Sequence, residues 1–420
     1  MGKTVRVIAA LLLAMLPGAT ARAAAAAGPQ AGVPHFTAPA PRSGAWTGTW
    51  ETAPSGTAPA LPGAAIRNVV HLSVGGSAVR VRLSNRLGTA PLRLGAVTVA
   101  LRGAAGPVAA PGTLRTATFR GAPTATVAPG HDLLTDPVSL SVPAGADLLV
   151  TVFTPDDNGP ATFHSQAVQT SYVAPAGASR ADDEDGSAYT TATGHWYYVT
   201  GVDVRGTATG SVVAFGDSLT DGLGATPDAN HRWPDRLAEH LRASRLGVLN
   251  AGITGNRLLR DGTGPSGLAR LGADALDRAG VRVLVVFEGI NDINGTPEVD
   301  DPAALADAYR TLVARAHARG IRVIGVTLTP YRGHRFFNAS REAVRQQVNG
   351  FIRTGGVFDA VADADAVLRD PADLQRLLPG YDHGDHLHFN DAGLRAVADA
   401  VGQAMERRPA GPAALAPLAR

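Results

Sequence analysis

Apolar positions change their rhythm along this chain near residue 210. Before that point they come in short runs, broken by Gly and Pro. Segments 65–72, 78–85, 92–101, 147–153 and 196–204 read as strands. Val79, Val81 and Leu83 alternate with Arg80, Arg82 and Ser84, which is the period of a half-buried sheet. No long amphipathic helix interrupts this stretch, so the pattern predicts an all-β sandwich or jelly-roll-like module. From residue 211 apolar runs and helical periods take turns. Runs 212–215, 247–250, 281–287 and 322–328 read as buried strands, and 233–243, 267–279, 302–318, 340–353 and 390–405 as helices. Asp301-Pro302 sets an N-cap before a proline at the first helical position. This alternation predicts a parallel sheet covered on both faces, a three-layer α/β/α domain.

The ends of the chain differ from both regions. Lys3 and Arg6 precede the apolar run 7–16, and Ala21-Arg22-Ala23 supplies a small-residue cleavage pattern. The run is too short to span a bilayer. The expected organisation is a signal peptide at 1–23, a flexible linker at 24–43, an all-β accessory domain at 44–205, an α/β/α domain at 206–408 and a flexible tail at 409–420. Export as a secreted protein is the matching expectation, with no membrane span left after cleavage.

Composition narrows the function classes. A hydrophobic share of 45 % with 18 % charged residues supports a substantial core over 420 residues. A formal net charge of +2 gives no electrostatic case for a nucleic-acid partner. With no cysteine, neither disulfides nor thiol chemistry is available. The acidic run Asp182-Asp183-Glu184-Asp185 lacks a defined calcium-ligand spacing and reads as a solvated loop.

The chemistry gathers at the predicted strand ends, where α/β proteins build their sites. Gly216-Asp217-Ser218-Leu219 follows the first strand, Asn250-Ala251-Gly252 the second and Gly289-Ile290-Asn291-Asp292 the third. Asp385 and His388 lie just before the last helix. Ser218 is the candidate nucleophile, His388 its base, and Asp385 the group that orients the base. The backbone N–H groups of Ser218 and Gly252 and the side-chain amide of Asn291 are the candidate oxyanion donors. Asp217 and Asp221 are expected to brace the turn through backbone hydrogen bonds. A zinc site built from Asp382, His383, Asp385, His386 and His388 is the competing reading. It leaves the Ser, Gly and Asn blocks unexplained. His383 and His386 are therefore expected at the rim.

These four blocks, in this order, resemble the GDSL, or SGNH, family of serine esterases and lipases. The resemblance covers residues 211–405 and implies a flavodoxin-like strand order. It also implies hydrolysis of carboxyl esters through an acyl-enzyme on Ser218, without cofactor or metal. The β-rich region resembles, more loosely, the domain that precedes such a catalytic domain in exported actinobacterial and xylan-associated esterases. One block departs from the family pattern: His388 is followed by Phe389, where many relatives have proline. The substrate this implies is a short-chain acyl ester, such as an acetyl ester on a polysaccharide. A lipid or aryl esterase is one alternative, and a non-catalytic carbohydrate- or surface-binding protein with a vestigial site is another.

Overall fold

The computed structural model describes residues 45–407. The segments expected to be signal peptide (1–23), linker (24–43) and tail (409–420) lie outside the described residues. The β-rich region contains β1 (Trp46–Glu51), β2 (Ala64–His71), β3 (Ala78–Ser84), β4 (Ala96–Leu101), β5 (Asp147–Thr154), β6 (Ala161–His164), β7 (Ser171–Ala174) and β8 (Val199–Arg205). Every pairing among them is antiparallel. One four-stranded sheet runs β1, β8, β3 and then Asp132–Leu134, while β7, β2, β5 and β4 form the centre of a six-stranded sheet. Val79, Val81, Leu83, Val202 and Val204 of the first share a core with Ile66, Val70, Val97, Val150 and Val152 of the second. The period-two pattern around Val79 thus reads correctly as one buried face.

Arginines on the other faces are paired. Arg80 Nε donates to Asp203 Oδ2 at 2.8 Å, and Arg67 is buried beneath the acidic run. Arg67 donates to Thr151 Oγ1 (3.0 Å) and to the carbonyls of Pro107 and Asp183 (both 2.6 Å), with its guanidinium 3.9 Å from the Tyr189 ring. Asp183 accepts the N–H groups of Gly186 (3.3 Å) and Ala188 (3.2 Å), so its side chain closes its own loop. Two expected strands are broken. Gly95 divides 92–101, its N–H donating to Phe153 O at 2.9 Å. Tyr198, at φ 61°, separates Trp196–Tyr197 from β8, and the two pieces join different sheets.

The α/β region follows in the order β9 (Gly210–Gly216), α1 (Ser218–Asp221), α2 (Trp233–His240), β10 (Leu246–Gly252), α3 (Gly267–Leu271), β11 (Val281–Phe287), α4 (Ile290–Asn294), α5 (Pro302–His317), β12 (Arg322–Val326), α6 (Ala339–Thr354), β13 (Ala360–Ala362), α7 (Ala364–Leu368) and α8 (Asp391–Glu406). The five strands are parallel, in the order β10, β9, β11, β12, β13. Because β10 and β11 flank β9 on opposite sides, the chain switches direction at β9, which opens a crevice beyond its C-terminal end. Asp301 caps α5 through the Ala303 N–H, as its sequence predicts. β13 went unread because three residues between two aspartates make no apolar run.

The two regions meet along β1 and β10. Gly48 N–H donates to Ala279 O (2.9 Å), Val248 N–H donates to Ser73 Oγ (2.9 Å), and Leu249 packs over Gly48, which has no side chain there. Glu51 Oε1 lies 2.6 Å from Arg278 Nε, and Arg86 pairs with Asp274.

Candidate active site

β9 is buried along its whole length, and Asp217 ends it by capping the next turn. Asp217 Oδ1 accepts the Leu219 N–H at 3.0 Å, and its carbonyl accepts those of Thr220 (3.0 Å) and Asp221 (2.8 Å). Ser218 therefore opens α1 with its own N–H unclaimed among the described residues. It is 4 % exposed, just beyond the C-terminal end of β9.

His388 arrives from the loop before α8. A bridge between Asp382 and Phe389 and the His383 N–H to His388 O bond (2.9 Å) pinch that loop shut. Phe389, the departure from the usual proline, is fully buried and stacks on Phe287 at 6.5 Å between ring centres. The aromatic ring thus anchors His388 to the end of β11. His388 Nε2 lies 2.8 Å from Ser218 Oγ, and His388 Nδ1 lies 2.6 Å from Asp385 Oδ2. A carboxylate only accepts, so Nδ1 carries the proton and Nε2 offers its lone pair to the Ser218 hydroxyl. Burial pushes the Asp385 carboxyl up. The His388 ring, with the backbone N–H groups of His388 (2.9 Å) and Leu387 (3.1 Å), overcomes this and holds it at about 2. Asp382 makes a parallel pair with His386 at 2.6 Å, so the crowded aspartates and histidines of this loop bond to one another in twos. His383 is exposed and His386 half-buried, at the edge of this loop.

The predicted donors divide. Asn291 lies on α4, just past β11, and its Nδ2 donates one N–H to Asn256 O (3.0 Å). Its second N–H has no partner among the described residues. Gly252 requires correction. It is still in β10, and its N–H donates to Asn250 Oδ1 at 2.9 Å. A Cβ at Gly252 would sit 2.2 Å from the Asp221 nitrogen, so the glycine lets α1 lie against β10. The free backbone donor lies three residues on. Ile253 O accepts the Asn256 N–H (2.9 Å), which makes Ile253–Asn256 a tight turn with Gly255 at its third position, φ +80°. The Gly255 N–H has no partner among the described residues, and the Asn256 carbonyl of the same turn is the one that holds Asn291. Thr-Gly-Asn just past a strand is a turn signal, and it marks Gly255 better than a glycine inside the strand.

Arg270, in α3, ties these strand ends together from below. Its guanidinium donates to Gly216 O (2.9 Å), Ala251 O (2.6 Å), Asn256 Oδ1 (2.8 Å) and Glu288 Oε2 (3.3 Å). In the sequence it looked like any helix-surface arginine. Three buried acids share this floor. Burial raises Asp217 to about 7, with Asp292 adding to the rise and Leu219 N–H and Arg270 opposing it. Burial likewise lifts Glu288 well above the ordinary glutamate value, and lifts Asp292 although the N–H groups of Leu258 and Leu259 oppose the rise.

A hydroxyl, an imidazole and a carboxylate in a relay, beside convergent N–H groups, can carry out acyl transfer. Residues 214–396 match the GDSL-like Lipase/Acylhydrolase family. No curated protein matches the chain. Among solved structures, the aryl esterase of M. Smegmatis is 20% identical, over 46% of this chain and 97% of that one, at a TM-score of 0.39. A carbohydrate acetylesterase from Sinorhizobium meliloti is 16% identical over 46% of this chain and 97% of that one, at 0.38. A GDSL-like lipase from Bacteroides thetaiotaomicron VPI-5482 is 16% identical over 47% of this chain and 87% of that one, at 0.36. The chain thus carries, over residues 214–396, a domain of the GDSL-like lipase/acylhydrolase family, and it is an ester-hydrolysing enzyme.

Proposed function

We propose that the protein is an exported serine carboxyl-ester hydrolase acting on short-chain acyl esters, with acetyl esters of a polysaccharide as the substrate class. The observation that carries the serine mechanism is the unbroken relay from Ser218 Oγ through His388 to Asp385. In this reading Ser218 Oγ attacks the ester carbonyl carbon while its proton passes to His388 Nε2. The N–H groups of Ser218, Gly255 and Asn291 receive the oxyanion. Collapse breaks the bond to the alcohol oxygen, which leaves with the proton from His388. Water, deprotonated by the same nitrogen, then releases the carboxylic acid and restores Ser218. Asp385 holds the Nδ1–H tautomer and balances the imidazolium formed in each half.

In this reading the low exposure of Ser218 is what supports a short acyl chain over a long one. The rim is mixed: His383 is exposed, Gly333 packs against His386, and the exposed Phe336 meets the His334 ring edge-on at 5.3 Å on the same loop as Gly333. Large exposed hydrophobic residues among those described are Val108, Phe336, Val367 and Leu374. Four such side chains are few for a lipid interface. Export rests on the pattern of residues 1–23. Acetylated xylan, p-nitrophenyl esters of increasing chain length and phospholipid vesicles, assayed side by side, test the reading. Release of acetate from xylan and a steep fall beyond butyrate are expected. Preferential cleavage of phospholipid contradicts it.

A further inference from the structure

His164 ends β6, far in sequence from the family domain, and is 2 % exposed. Its Nδ1 lies 2.7 Å from Ala53 O, and its Nε2 lies 2.9 Å from Asp221 Oδ1 and 3.2 Å from Gln166 O. Carbonyls and a carboxylate cannot donate, so both ring nitrogens carry protons and the ring is an imidazolium. Burial opposes that charge, but the Asp221 carboxylate and the two carbonyls outweigh it and hold the ring above the ordinary imidazole value. Asp221 is the last residue of α1, one turn from Ser218. Its other oxygen, Oδ2, accepts the Thr254 N–H (2.8 Å) and the Thr254 hydroxyl (2.7 Å). Thr254 directly precedes Gly255. A single carboxylate therefore joins a histidine of the antiparallel region, the turn that presents Ser218 and the turn that presents the Gly255 N–H.

Burying an ion pair costs several kcal/mol per ion, and apolar residues of similar volume often serve stability equally well. What this pair supplies is direction, because each carboxylate oxygen of Asp221 has its own donor, His164 for Oδ1 and Thr254 for Oδ2. We propose that His164 is a positioning residue of the ester-cleaving site, acting through Asp221 to fix the Ser218 turn against the Thr254–Gly255 turn. The inference rests on the roles given above to Ser218 and Gly255. It makes the β-rich region a part of the site, although no member of the Ser218–His388–Asp385 relay comes from it. Without the imidazolium, Asp221 loses its charged partner and the two turns lose their common tie. The spacing between nucleophile and oxyanion donors matters most once the oxyanion forms, so the loss falls on kcat and spares KM.

The test compares kcat and KM for p-nitrophenyl acetate in the full chain, as wild type, His164→Ala, His164→Gln, Asp221→Asn and the His164→Ala/Asp221→Asn double variant. Folded fraction is fixed by circular dichroism and melting temperature, independently of any assumption about the nucleophile. His164→Ala is expected to lower kcat about 10- to 100-fold with KM within about 3-fold. His164→Gln keeps one donor toward Asp221 and is expected to recover part of that loss, and it remains informative should the alanine variant fail to fold. The double variant is expected to be no slower than the slower single variant, since both act through one carboxylate. If the folded glutamine variant, and any alanine variant that folds, turn over within about twofold of wild type while melting lower, His164 is structural and the proposal fails. Additive losses in the double variant overturn it equally. Ser218→Ala, assayed in parallel, judges the serine reading separately, because the His164 comparison uses ester hydrolysis alone.

Discussion

In the α/β region every strand runs the same way, so Gly216, Gly252 and Phe287 end on one edge of the sheet, and the loops beyond them converge. In the β-rich region neighbouring strands run oppositely, so their ends divide between two edges and successive strands do not deliver their C-terminal ends to one place. The chemistry follows that geometry. Parallel strand ends deliver Ser218, Gly255 and Asn291 to one crevice. The antiparallel sheets place their buried polar groups by cross-strand packing: Arg67 beneath its loop, His164 against Asp221. In this molecule the parallel strand ends gather the reacting groups, and the antiparallel region braces them through His164.

The sharpest way to break this contrast is to remove the nucleophile. Ser218→Ala is expected to lower kcat by about 10⁴-fold or more while the urea unfolding midpoint hardly moves. Steady-state kinetics and urea titration on one preparation check both halves. Near wild-type turnover would show that the strand-end reading of the site is wrong.

Asn291→Ala comes next. Its free N–H serves a charge that exists only in the transition state, so kcat is expected to fall about 10²- to 10³-fold with little change in KM. A rise in KM with kcat intact would make Asn291 a substrate contact or a brace for Asn256.

The β-rich counterpart is Arg67→Met. It strands the carbonyls of Pro107 and Asp183 beneath the acidic loop, and a loss of about 2–4 kcal/mol in unfolding free energy is expected. Turnover of the folded fraction is expected to stay near wild type. A large fall in kcat without loss of stability would blur the division between the two regions.

The smallest effect concerns the floor of the site. The folded chain raises Asp217 to about 7, above its unfolded value, so between pH 4 and 7 the folded state binds the extra proton. Stability from this group is present at low pH and declines as pH rises through that window. Asp217→Asn keeps the cap and removes the titration. It is expected to shrink the stability difference between pH 5 and pH 8 by on the order of 2 kcal/mol. Urea midpoints at the two pH values measure this, and identical pH dependence in both proteins would contradict it.

Much of this molecule was legible because parallel βα units write themselves in long alternating periods. The helices around Pro302 and Asn390 and the strand 281–287 appear where the pattern put them. Ser218, His388 and Asp385 were legible because each sits in a block with its own spacing, and the structure brings them within hydrogen-bond reach. Gly252 was misread because the apolar run ends at 250 while β10 continues through Gly252, and the sequence does not say which N–H a neighbouring Asn250 has already taken. His164 left no signal at all. A lone histidine at the end of a short strand reaches Asp221 only through the packing of two regions, which no local period encodes. Arg270 was hidden for the opposite reason, since a helical arginine is ordinarily a surface residue.

The central claim is that Ser218 attacks the ester. Incubating the full chain with a serine-directed fluorophosphonate and mapping the adduct by peptide mass spectrometry tests it most directly. The account predicts one adduct per chain, on the peptide that carries Ser218, with esterase activity lost in proportion to labelling and no labelling in Ser218→Ala. Full inactivation with the adduct on another residue, or full labelling of Ser218 with activity retained, would contradict it.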